Sequence, residues 1–137
     1  MLGSQRDAIS AYREVSVDAA VEAADPHGLI LLLFSGAQAA IGSARVAMQQ
    51  DQIAVKGESI SKAIDIISNG LKASLDLEKG GELAARLQAL YDYMVLRLLQ
   101  ANLKNNLKVL EEVSELLETI HSAWREIAPD QQRQEVA

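Results

Sequence analysis

A chain of 137 residues, 49% of them hydrophobic and none of them cysteine, can bury one self-sufficient core, and it excludes disulfides and thiolate metal sites. The formal net charge of −6 argues against nucleic acid, which needs a basic footprint. Two prolines, 4% aromatic residues and abundant Ala, Leu, Ile, Glu and Lys point to an all-α protein.

Residues 1–25 form a segment of their own. The opening MLGSQRDAIS has no apolar stretch of the kind a secretory signal requires. Ile9, Tyr12 and Val15, then Val17, Ala20, Val21 and Ala24, recur at helical spacing, but each stretch is too short to be stable alone. The segment is expected to dock as a cap on the remainder or to stay mobile. Asp25-Pro26 then marks a helix start, because Asp accepts orphan N–H groups and proline in the first turn gives up no needed donor.

The first long helix is expected over 26–49, with Ile30, Phe34, Ala37, Ile41, Ala44 and Met48 inward. Its longest apolar run, Leu29 to Phe34, is far short of a membrane span, so the chain reads as soluble and cytoplasmic, without membrane insertion. A second helix over 51–77 places Ile60, Ile64, Ile67, Leu71 and Leu75 inward. Lys62, Asp65, Asn69, Lys72 and Asp76 fall outward, and Gly80-Gly81 is expected to end this helix. The third, over 80–106, has Leu83, Leu87, Leu90, Met94, Leu98 and Ala101 in one stripe. The fourth, over 105–127, turns Leu110, Val113, Leu117, Ile120 and Trp124 inward, and Pro129 stops it. Long helices joined by short connections make an antiparallel up-down four-helix bundle over 26–128, with a polar, frayed tail at 129–137.

Two of the helices are apolar on the wrong side. Ala85, Ala89, Leu96, Leu99 and Leu103 lie opposite the core stripe of the third helix. Leu32, Ala39 and Val46 do the same on the first, flanked by small Ser35, Gly36, Gly42 and Ser43. Two readings fit: these faces are covered by the N-terminal segment and a homodimer, or they are grooves for an amphipathic partner helix. In a square bundle the first and third helices are diagonal, so a partner using both faces must wrap around it.

Catalytic readings find little support. Glu118-Thr-Ile-His121 has the Glu-x-x-His spacing of carboxylate di-iron bundles, but His27, the only other histidine, has Ala24 three residues before it. Glu118 and His121 fall at the solvent edge of the core stripe, so a partly exposed histidine is the better account. Gly80-Gly81-Glu82 lacks the lysine of a phosphate loop. His27 is expected to bond local backbone, and Lys79, Arg86 and Arg97 to be solvated. No catalytic residue, cofactor or metal is expected.

Five strings resemble one family: Tyr12-Arg-Glu-Val-Ser-Val-Asp, Pro26-His27-Gly28-Leu29-Ile30, Lys62-Ala63-Ile64-Asp65-Ile66-Ile67, Gly80-Gly81-Glu82-Leu83 with Leu90-Tyr91-Asp92-Tyr93-Met94 and Ala101-Asn102, and Trp124. In order and spacing, from about residue 5 to 128, they are similar to the flagellin-specific export chaperones of the bacterial flagellum, the FliS family. The resemblance implies a non-enzymatic cytoplasmic chaperone that binds the disordered C-terminal segment of flagellin, prevents premature polymerisation and assists delivery to the export apparatus. The cytoplasmic domain of the export gate is a further implied partner. Ile9 and Tyr12 match the family's N-terminal pattern, a segment that can lie over a client groove and move aside. Tyr93 and Asp92 are candidate contacts, Asp92 to a client backbone group at a helix end. The expected partner-binding set is therefore Ile9, Tyr12, Leu32, Ala39, Val46, Asp92, Tyr93, Leu96, Leu99 and Leu103, on a protein that is a monomer or weak homodimer when free. The alternative is a self-associating bundle with a structural or scaffolding role.

Overall fold

The computed structural model describes residues 25–127. Residues 1–24 of the expected cap (1–25), among them Ile9 and Tyr12, and residues 128–137, which include the expected tail (129–137), lie outside the described residues. Helix α1, Pro26–Gln49, begins as expected: the Asp25 side chain accepts from the His27 N–H at 3.1 Å, and proline occupies the first turn. It ends at Gln50, and Asp51 takes a left-handed φ of 55° that turns the chain back. Helix α2 therefore starts at Ile53 rather than Asp51 and runs as regular helix to Asp65.

The second half of α2 departs from a simple rod. Ile66–Leu71 is π-helical and Lys72–Ser74 closes in a 3₁₀ turn, with the Ser74 hydroxyl donating to the Gly70 carbonyl at 2.6 Å. A β-carbon added at Gly70 would meet a Leu33 methyl at 3.0 Å, so the missing side chain lets the π segment lie close to α1. Leu75 is extended, and Asp76 caps the next helix by accepting from the Lys79 N–H at 3.0 Å. The reversal thus falls at Leu75-Asp76 and not at the glycine pair. Asp76 is a stronger signal than Gly80-Gly81, since a carboxylate at an N-cap satisfies donors that glycine cannot.

Helix α3, Leu77–Lys104, contains that glycine pair as a kink: Gly81 has φ 54° and ψ −131°, a conformation closed to other residues. Leu77–Gly80 is a single turn set off from the main rod. Asn105, left-handed at φ 51°, and Asn106, whose side chain accepts from Lys108 and Val109 N–H groups, complete the turn into α4, Leu107–Glu126.

Each helix packs on its two neighbours, α1 on α2 and α4, and α3 on α2 and α4, so α1 and α3 are diagonal in an up-down four-helix bundle. The core is built from Leu33, Phe34, Ile41, Ile60, Ile67, Met94, Leu98, Leu110 and Leu117, all essentially inaccessible. By length and composition α1 qualifies to cross a membrane. Beyond the run Leu29–Phe34, Ile41, Val46, Met48 and the intervening alanines carry its hydropathy onward. Here it is a core helix, with Ala37, Ala40, Ala44 and Ala47 buried against its neighbours.

Candidate functional site

The apolar surplus of α3 is on its surface. Met94, Leu98 and Ala101 are fully buried, whereas Leu96, Leu99 and Leu103 are 53%, 53% and 84% exposed on the opposite side. Ala85 and Ala89 are exposed along the same line. These side chains have no partner among the described residues that would explain their apolarity.

Asp92 lies in this line and is held by Lys72 from the end of α2, Nζ to Oδ1 at 2.6 Å. Tyr93 sits on the flank toward α4. Its hydroxyl donates to Glu112 at 2.8 Å, and Arg97 donates to the other Glu112 oxygen at 2.8 Å and to Gln100 at 2.7 Å. The two donors hold the Glu112 carboxyl below the usual carboxylate range. Arg97, expected in water, is therefore half-buried and tied to α4. Arg86 is exposed beside Glu82, and Lys79 is exposed.

On α1, Val46 and Ala39 are exposed as expected, but Leu32 is half-buried and packs against the core. Ser35, Ala39, Ser43, Ser59 and Lys62 line an open groove of about 420 Å³ between α1 and α2. It faces away from the α3 leucines, because the two helices are diagonal.

An apolar opening lies at the end of the bundle where α1 begins and α4 ends. Its volume is about 270 Å³, and Ile30, Phe34, Leu87, Tyr91, Ile120 and Trp124 line it. Leu83, expected in the core, stands at its rim and is 56% exposed. The kink at Gly81 begins the straight part of α3 just before Leu83. Burial pushes the Tyr91 hydroxyl well above its ordinary pKa, so it is neutral. Trp124 Nε1 is buried with no hydrogen-bond acceptor among the described residues, an unusual state for an indole donor. The apolar character of these residues is legible from their types, whereas the cavity needs the four helix ends in register.

The Glu-x-x-His pair does not converge on a third metal-ligand side chain among the described residues. Glu118 accepts from Arg125, Gln38 and Ser122, which hold its pKa down to about 2. His121 is buried rather than partly exposed, stacked on Phe34 with centroids 5.3 Å apart, and its Nδ1 is 2.8 Å from Gln38 Oε1. Since Gln38 Nε2 donates to Glu118, Oε1 can only accept, which places the neutral imidazole proton on Nδ1. Burial, then the nearby Arg125, lowers the His121 pKa. His27 is likewise buried, stacked on Trp124 at 5.6 Å. Among the described residues both histidines pack against aromatic rings, His27 on Trp124 and His121 on Phe34.

Lys56 was not singled out by sequence. It is buried, with Nζ donating to the Asn102 carbonyl at 3.2 Å and to Asn105 Oδ1 at 3.1 Å. Its position four residues before Ile60, on the inward stripe of α2, was the available signal.

A family model described as "Flagellar protein FliS" matches residues 8–131. The flagellar secretion chaperone FliS of Salmonella typhimurium is 54% identical over 127 residues, covering 93% of this chain and 94% of that protein. The flagellar secretion chaperone FliSB of Pseudomonas aeruginosa is 48% identical over 85% of this chain and 92% of its own length. FliS of Vibrio cholerae is 43% identical over 91% of each. Kinship that spans nearly the whole chain, on a bundle with the apolar outer faces just described, leads to one assignment: the chain belongs to the FliS family of flagellar secretion chaperones.

Proposed function

We propose that this protein is a cytoplasmic chaperone that binds the C-terminal segment of flagellin, prevents its premature polymerisation and assists its delivery to the export apparatus, with the cytoplasmic domain of the export gate as a further partner. The observation that carries this reading is the exposure of Leu96, Leu99 and Leu103 on a helix whose other face is already core. Covering three leucines contributes roughly 5–9 kcal/mol before ordering costs, enough to hold a segment that folds as it binds. The small-residue groove at Ala39 and the terminal cavity at Trp124 give such a segment further contacts on other faces. The cavity lies where Asp25 leads into α1. Ile9 and Tyr12, which match the family's N-terminal pattern, belong to the proposed client-responsive set. Replacing both by alanine should leave the melting temperature in place and change client affinity; an unchanged dissociation constant removes that role.

Copurification with a flagellin tests the whole reading. Leu99→Asp should fold normally, because Leu99 is not core, and should lose the flagellin, because the complex would bury an unpaired carboxylate. Retained capture by Leu99→Asp, or no capture by the wild type, overturns it. Sizing separates the scaffold alternative: a monomer that becomes a one-to-one complex supports the chaperone, and a dimer unaffected by flagellin supports self-association.

A further inference from the structure

The outer line of α3 has more order than exposure alone requires. Ala85, Ala89, Asp92, Leu96, Leu99 and Leu103 follow one another at intervals of four, three, four, three and four, the a/d seam of a coiled coil. Its occupant is therefore a helix lying nearly along α3. One seam position alone is polar. The positions flanking the seam carry a single charge, Arg86, so flanking ion pairs cannot fix how a partner helix slides.

Asp92 is half-satisfied. Oδ1 takes Lys72 Nζ at 2.6 Å, while Oδ2 makes no hydrogen bond among the described residues and relies on water. Both side chains keep substantial exposure, 36% for Lys72 and 55% for Asp92. A helix laid over the seam removes that water, and an apolar residue opposite Asp92 would leave a carboxylate oxygen buried without a donor.

We propose that Asp92, steadied by Lys72, is the register key of this seam. It selects a client helix carrying a lysine, arginine or side-chain amide opposite Oδ2, next to three apolar positions that meet Leu96, Leu99 and Leu103. The proposal rests on the chaperone reading and deepens it. A second copy of this chain is a poor occupant. Paired antiparallel about residue 94, the seam sets Asp92 against Leu96 twice; paired parallel in register, it sets Asp92 against itself. Each copy also carries a net charge of −6. A single polar seam position that admits one register and rejects self-pairing is a known coiled-coil device.

The test is a donor scan read by titration calorimetry, with the full chain and a flagellin C-terminal segment whose Lys, Arg, Asn and Gln residues are changed to Met one at a time. Against wild type, one change should raise Kd about tenfold or more, as expected for loss of a hydrogen bond to a charged group. Against Asp92→Leu, the same change should cost less than about threefold. Asp92→Asn, which keeps the shape and removes the charge, should show the same loss of coupling, and it serves where Asp92→Leu self-associates. If wild type binds the segment but no change depends on residue 92, the key is overturned and the chaperone reading stands. If wild type binds no flagellin segment, both fall.

Discussion

Lys56 and His121 show how much rests on single buried polar groups here. Lys56 Nζ bonds the Asn102 carbonyl and Asn105 Oδ1, joining α2 to the turn between α3 and α4. Lys56→Met keeps the aliphatic stem but leaves both acceptors without this donor, and should cost about 1–3 kcal/mol in urea unfolding. His121 governs pH dependence. Its pKa is lowered in the folded state, so in the window below the unfolded value of 6.5 the unfolded chain binds more protons than the folded one. Stability is thus full above about pH 6.5 and is lost as pH falls through that value toward the folded pKa. Glu118 acts lower: its contribution is present above 4.5 and is lost as pH falls toward about 2. Melting temperature should fall between pH 7.5 and 5.5, and His121→Gln should flatten that step while leaving the acid limb below pH 4.5.

At the scale of elements, the glycines separate two physical roles. Gly42 is helical in α1, and a β-carbon there would meet nothing within 4 Å. Gly42→Ala should therefore stabilise by about 0.5–1 kcal/mol, through helix propensity and a less flexible unfolded chain. Gly81 also has open space around it, but its φ of 54° is barred to side chains, so Gly81→Ala should destabilise by about 1–3 kcal/mol. Denaturant midpoints of the two variants should move in opposite directions. The same contrast explains what could be read ahead of the coordinates. Helices α1 and α4 were legible to within two residues, because Asp25-Pro26 and the Leu110–Trp124 periodicity are local signals. The end of α2 was not, because its π turn answers to Gly70 meeting Leu33 on another helix, a tertiary contact no local pattern encodes. The exposed leucines of α3 were readable from periodicity. The hold of Lys72 on Asp92 and of Glu112 on Tyr93 was not, since each partner comes from a different helix.

At the scale of the molecule, three candidate surfaces among the described residues face different directions: the apolar α3 seam, the small-residue groove between α1 and α2, and the apolar end cavity at Trp124. A client that enters as a preformed rod can cover one of them, whereas a chain that is unstructured when free can bend around the bundle and reach all three. The two cases differ in their thermodynamics. Folding onto the bundle buries on the order of 1,000–3,000 Å², with a binding heat-capacity change of about −0.2 to −0.5 kcal/mol/K and an unfavourable ordering entropy. It also creates helix, so the circular dichroism of the complex at 222 nm should exceed the sum of its parts. Calorimetry with a flagellin C-terminal segment from 10 to 35 °C, together with spectra of the mixture, decides between them. Additive spectra with a heat-capacity change near zero would reject wrapping, while leaving single-face binding in place. Truncating the segment refines the outcome: if all three openings are used, each deletion should weaken binding in a separate step, and Trp124 emission should change only for the part that enters the end cavity.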